Sequence, residues 1–147
     1  MRFEDAVVVS RPIEEVFAFL SNPFSSPRRG GGSLGFRVTP PGPIGLGSTL
    51  RLRMVAFGLE RTINGAITEW APPRAATLSL ANEGPVRSGT VRTTLEATTA
   101  GTNALTVMEI NPRGIWKLLS PLVRPYLRRQ MITRNQNMKR LLESGRG

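Results

Sequence analysis

"TLRLRMVAFGLERTINGAITEWAPPRAATLSL", residues 49–80, decides the fold. Leu50, Leu52 and Met54 alternate with Arg51 and Arg53. Ile63, Gly65 and Ile67 alternate with Thr62, Asn64 and Thr68, and Ala76, Leu78 and Leu80 with Thr77 and Ser79. A period of two, repeated over three successive runs, describes strands with one covered and one wet face. The links between the runs are short, so the strands pair antiparallel. The pattern extends outward in both directions. "GTVRTTLEA" (89–97) sets Val91, Thr93 and Leu95 against Arg92, Thr94 and Glu96, and "FEDAVVVS" (3–10) and "LGFRVTP" (34–40) read as extended. "TNALTVMEI" (102–110) has two phases: Leu105, Val107 and Glu109 share one face, Met108 and Ile110 the other. The sum is a sheet of six or seven strands. Arg51, Arg53, Thr62, Thr77 and Arg92 are expected on its solvent face.

Two helical patterns flank these strands. In "PIEEVFAFLSNP" (12–23) Pro12 suits a first turn, Glu14 and Glu15 complement the helix dipole, and Val16, Phe17 and Leu20 form an apolar stripe. Asn22-Pro23 ends the helix. Residues 24–33, with the run Gly30 to Gly32, read as loop or a short irregular helix, and "PGPIGLG" (41–47) as a turn cluster. The long cover is a C-terminal helix from about Ile115 to Glu143, with Pro121 and Pro125 predicting a kink or early break. The class is α+β: a curved antiparallel sheet wrapped around one long helix.

That helix carries an anomaly in "LRRQMITRNQNMKRLLE" (127–143). Leu127, Met131, Met138 and Leu141 trace one face, yet Arg134 fills the slot between Met131 and Met138, with Gln130 and Asn137 beside it. An unpaired arginine in a dry core is very costly. Two readings account for it: Arg134 snorkels past its neighbours to water at the rim, or this helix face looks into an internal cavity.

Absences exclude several chemistries. The 147 residues contain neither Cys nor His, so disulfides, thiolate nucleophiles, Ser-His-Asp and Cys-His mechanisms and the usual transition-metal ligands are ruled out. No phosphate-binding G-x-x-x-x-G-K-[ST] motif is present. The length fits a single domain, 1–147. "MRFEDAVVVS" is too acidic for a signal peptide, and no apolar run approaches the roughly 20 residues that span a bilayer; a cytoplasmic location is expected. The net charge of +10 is almost all arginine, spread along the chain rather than clustered among aromatics, and is read as solvated surface.

Three stretches share a resemblance. "VVVSRPIEEVFAFLSNP" is similar to the opening strand and helix of the START-like polyketide cyclase/dehydrase family (the SRPBCC superfamily). "ITEWAPPRAATLSL" resembles its mid-sheet turn, and "AGTNALTVMEINPRGIWKLLSPLVRPYLRRQM…NMKRLLE" its last strand and closing helix. The resemblance covers nearly the whole chain outside residues 25–47. It implies a helix-grip fold with an apolar tunnel between sheet and last helix, and a hydrophobic or amphipathic ligand of the lipid, sterol, polyketide, plant hormone or quinone kind. A minority of the family cyclise or dehydrate their ligand. No fixed catalytic motif carries over.

The expected function is binding of such a molecule, with catalysis undecided and no metal or cofactor. The expected lining is Leu52, Met54, Ile63, Ile67, Leu78, Leu80, Val91 and Leu95 from the sheet, with Tyr126, Leu127, Gln130, Met131, Arg134 and Met138 from the helix. Two other readings stay open. A cyclase or dehydratase would need Arg134, Glu109 and Tyr126 to converge on one cavity, Glu109 serving as partner to Arg134 or as base. A protein binding RNA, a ribosome or an anionic membrane would use Arg124, Arg128 and Arg129 with Arg37, Arg51 and Arg53. Trp70 and Trp116 are assigned packing roles, and the protein is expected as a monomer or homodimer.

Overall fold

The computed structural model describes residues 1–22, 30, 33–39, 42–56, 58–80, 86–112 and 114–144; the side chains of Ser33, Ala56, Val86, Arg87 and Trp116 also lie outside the description. Of the expected loop over 24–33, residues 24–29, 31 and 32 fall outside the described residues and Ser33 already belongs to a strand; the packing role of Trp116 also falls outside. The elements are β1 (Arg2–Val9), α1 (Ile13–Ser21), β2 (Ser33–Val38), β3 (Thr49–Ala56), β4 (Leu59–Ala71), β5 (Ala75–Leu80), β6 (Val86–Thr98), β7 (Gly101–Pro112), α2 (Ile115–Leu118) and α3 (Ser120–Glu143).

All strands join one seven-stranded antiparallel sheet in the order β1-β7-β6-β5-β4-β3-β2. Strands β2 to β7 form a meander, and β1 returns to pair with β7, Arg2 opposite Glu109. The apolar alternation dictates this sheet: each strand buries every second side chain under the helices and leaves the others wet. Arg51, Arg53, Thr62 and Arg92 are exposed, as the alternation requires; Thr77 is half-buried, its hydroxyl donating to Glu69 Oε1 at 2.7 Å. The expected break near Pro121 falls at Leu119, which separates α2 from α3; Pro125 lies inside α3.

The dry core is asymmetric. One cluster joins Val7, Val9, Val16, Phe19, Leu95, Ala104, Met138 and Leu142, the other Phe3, Met108, Ile110 and Met131. Both sit where α3 and α1 cover the β1-β7-β6 side of the sheet. There the buried Asn135 donates from Nδ2 to Asp5 Oδ2 at 2.8 Å, tying α3 to β1. The turn into β7 is pressed against the corner between β1 and α1. Thr102 Oγ1 donates to the Arg11 carbonyl at 2.8 Å. Gly101 has φ +134°, and a Cβ there would come within 2.1 Å of the Val9 carbonyl oxygen, so only glycine fits.

A bulge in β4 reassigns two side chains. Ile67 pairs with Leu78, but Glu69 pairs with Thr77, leaving Thr68 as the extra residue. Past it the phase inverts: Trp70 turns inward and Glu69 outward. Glu69 there accepts from Arg92 Nε at 2.9 Å. The hydrogen bonds from Arg92, then from Thr77, pull its carboxyl down to about 2 from an ordinary 4.5. A carboxyl whose folded value lies below its unfolded one contributes stability that is complete above the unfolded value and is lost as pH falls through the folded one. Thermal midpoints should therefore decline between pH 4.5 and about 2, and less so in Glu69→Gln. Glu143, held below its ordinary value by Lys139 and then the Ser10 N–H, retains part of the decline in that variant. Equally steep profiles for both proteins would refute the assignment.

Candidate functional site

Between α3 and the β3–β5 side of the sheet lies a cavity of about 630 Å³, within the range of small-molecule sites. Its existence follows from the packing of the last helix: α3 seats on β1, and one helix cannot also fill the concavity over the far strands. Leu52, Met54, Ile63, Ile67, Leu78, Leu80 and Val91 line it from the sheet, as do Leu127, Gln130 and Arg134 from α3.

Four expected lining residues lie elsewhere. Leu95 sits in the dry cluster beneath α1. Met131 and Met138 are almost fully buried, Met131 against Phe3, Met108 and Ile110, and Met138 in the cluster of α1. The cause is a rotation of roughly 80° around the helix between two stripes, from successive steps of roughly 100° per residue. Val123, Leu127, Gln130 and Arg134 form the stripe towards the cavity; Met131, Asn135, Met138 and Leu142 form a neighbouring stripe that is sealed against the sheet. The single face read from the sequence is two. Tyr126 stands beside the wall rather than in it, its hydroxyl accepting from Gln130 Nε2 at 3.2 Å.

Glu109 is also displaced. In β7 Thr102, Ala104, Met108 and Ile110 are buried, so the opposite phase, with Glu109, faces outward. Its carboxylate pairs with Arg2 Nη1 at 3.0 Å on the exposed face. Glu109 is neither the partner of Arg134 nor near the cavity, and the expected trio of Arg134, Glu109 and Tyr126 does not converge.

Polar groups are a minority in the cavity wall. Arg134 borders the void, and burial pushes its guanidinium below the ordinary arginine value. The residue as a whole is half-buried, and its charged end is desolvated. Arginine keeps its proton in such surroundings. Gln130 Nε2 also donates to the Val55 carbonyl at 3.1 Å, joining α3 to the end of β3 across the cavity. Among the lining residues Leu59, Glu60 and Arg61 are solvent-exposed, which places the mouth at the β3–β4 hairpin. The inward parity of Ile63 and Ile67 continues to Arg61, opposite Met54, so the mouth has a cation that the sequence reading missed although the parity announced it. Trp70 lines the cavity and meets Phe17 edge-on at 5.1 Å between centroids; the bulge that turns it inward has no signature in the alternation. Phe36, Met108 and Ile110 also line the wall. No group of three or more metal-ligating side chains occurs among the described residues.

The model of the family described as "Polyketide cyclase / dehydrase and lipid transport" matches residues 1–143. The chain belongs to this family. No curated protein matches it. Among solved structures it is similar to TTHA0849 from Thermus thermophilus, with a TM-score of 0.83 at 13% identity over 100% of both chains. It is similar to Ara h 8.0201, with a TM-score of 0.63 at 11% identity over 94% of this chain and 97% of that one. The di-domain ARO/CYC StfQ from the steffimycin biosynthetic pathway gives a TM-score of 0.75 at 14% identity, covering 98% of this chain and 51% of StfQ. At these identities the likeness is one of fold. Among the described residues no helix is long and apolar enough to cross a membrane.

Proposed function

We propose that the cavity takes one hydrophobic or amphipathic small molecule, its apolar body against β3–β5 and an oxygen-bearing end at Arg134. The carrying observation is the desolvated guanidinium of Arg134 on the wall of a mainly apolar cavity. Donors in an apolar pocket fix the orientation of a ligand that presents acceptors, and a charge-assisted bond is the strongest available there. The family description, which includes lipid transport, supports the same class of ligand.

A cyclase reading stands second. Its support is that Arg134 is a donor that would hold a carbonyl of a folded chain; Glu109, on the opposite face of the sheet, has no part in it. The outer sheet face has less to offer a nucleic acid. Arg37 and Arg51 stand opposite each other, but Arg53 and Arg92 are paired with Glu60 and Glu69.

Mass spectrometry of the purified protein, first under native and then under denaturing conditions, tests the main reading. The expected result is a native species heavier by one small molecule, released on denaturation and carrying a carboxylate or carbonyl on an apolar body. A protein that is empty by this measure, and whose thermal midpoint does not move with fatty acids, quinones or aromatic polyketides, would overturn it.

A further inference from the structure

Leu34, Leu59, Ile115, Leu118 and Leu122 are five of the seven large hydrophobic side chains exposed among the described residues. All five belong to one end of the sheet. There β3 turns into β4, β5 and β7 end, and β2 begins with Ser33 opposite Met54. Leu118 and Leu122 are the most exposed, at 80% and 75%, with Ile115 at 66%. They follow directly on Pro112, which lines the cavity, and Leu59 belongs to the mouth. Burial elsewhere in the domain gives no reason for leaving this apolar surface in water.

The charges around it are mostly basic. Lys117, Arg124, Arg128 and Arg129 are exposed on α2 and α3, and Arg61 at the mouth. No Asp or Glu occurs between Glu109 and Glu143 in the sequence. The described acids at this end, Glu4, Glu60 and Glu109, are already paired with Arg2 or Arg53. Apolar side chains at the tip with basic ones behind them are the composition of an interfacial element, whose leucines enter the acyl boundary while its cations meet anionic headgroups. A second copy of a chain with net charge +10 would bring two basic rims together, which disfavours it as the occupant.

We propose that α2 and the first turns of α3 dock on an anionic bilayer and hold the cavity mouth at its surface. A ligand would then pass between bilayer and cavity without crossing water. The docking itself does not depend on what the cavity binds.

Flotation of the full chain with vesicles tests this, using pure phosphatidylcholine and an equal mixture of phosphatidylcholine and phosphatidylglycerol. The protein should float with the mixed vesicles and at least about tenfold less with the neutral ones. The double substitution Leu118→Ser, Leu122→Ser removes only exposed side chains, so its thermal midpoint should match the parent, while its binding should fall by at least about tenfold. Arg37→Ser, Arg51→Ser, on the outer sheet face, should bind as the parent does. Absence of binding to the mixed vesicles would overturn the proposal. So would unchanged binding by the leucine variant, which would reduce the effect to diffuse charge. A dimer in sedimentation velocity that the leucine variant abolishes, without vesicle binding, would assign the patch to a second copy instead.

Discussion

Arg134→Leu should bind a carboxylate-bearing ligand about 10- to 150-fold more weakly. The guanidinium stands desolvated on the cavity wall, where a charge-assisted hydrogen bond to a ligand is strong. What is lost is a donor for the ligand's oxygen atoms, worth about 1.5–3 kcal/mol for a bond to a charged group. Calorimetric titration with a long-chain fatty acid and with the corresponding alkane separates the contributions: the acid should lose affinity in the variant and the alkane should not. Equal affinity of parent and variant for the acid would remove Arg134 from the site.

Met138→Ala should cost about 2–5 kcal/mol in urea unfolding of the unliganded protein, the usual loss for a fully buried methionine. Met54→Ala should cost less than about 2 kcal/mol. The two side chains are chemically identical, but Met138 is enclosed by Val7, Val9, Phe19 and Leu95, whereas Met54 borders the cavity. A side chain that already lacks neighbours on one side has fewer dispersion contacts to lose. Similar losses at both positions would mean that the β3 wall is close-packed in solution and that the void is filled.

The alternation of residues 49–80 made the sheet legible and identified most of the cavity wall, because a period of two assigns each side chain to a face once the strand is recognised. Three features escaped for physical reasons. The extra residue at Thr68 reverses the faces of Glu69 and Trp70, and a bulge leaves no mark in composition. The phase of β7 was ambiguous because Leu105 and Val107, although outward, are as apolar as the buried Met108 and Ile110. The division of α3 into a sealed stripe and a cavity stripe depends on where α3 seats on β1, a tertiary fact. Hydrophobicity alone groups Met131 with Leu127 and cannot say which of them faces a void.

The pairing of β1 with β7 bears on how the chain matures as it is made. Arg2 and Glu109, which join across these strands, are 107 positions apart, and Asp5 and Asn135 are 130 apart. Both dry clusters draw on the first strand and on α3, so neither can close until nearly the whole domain has left the ribosome. Until then the meander from β2 to β7 lacks the cover of α3, a state in which a nascent chain is open to chaperones and to association with its neighbours. Contacts of such long sequence separation also form slowly once the chain is free. The strand synthesised first is the one that finishes the sheet last.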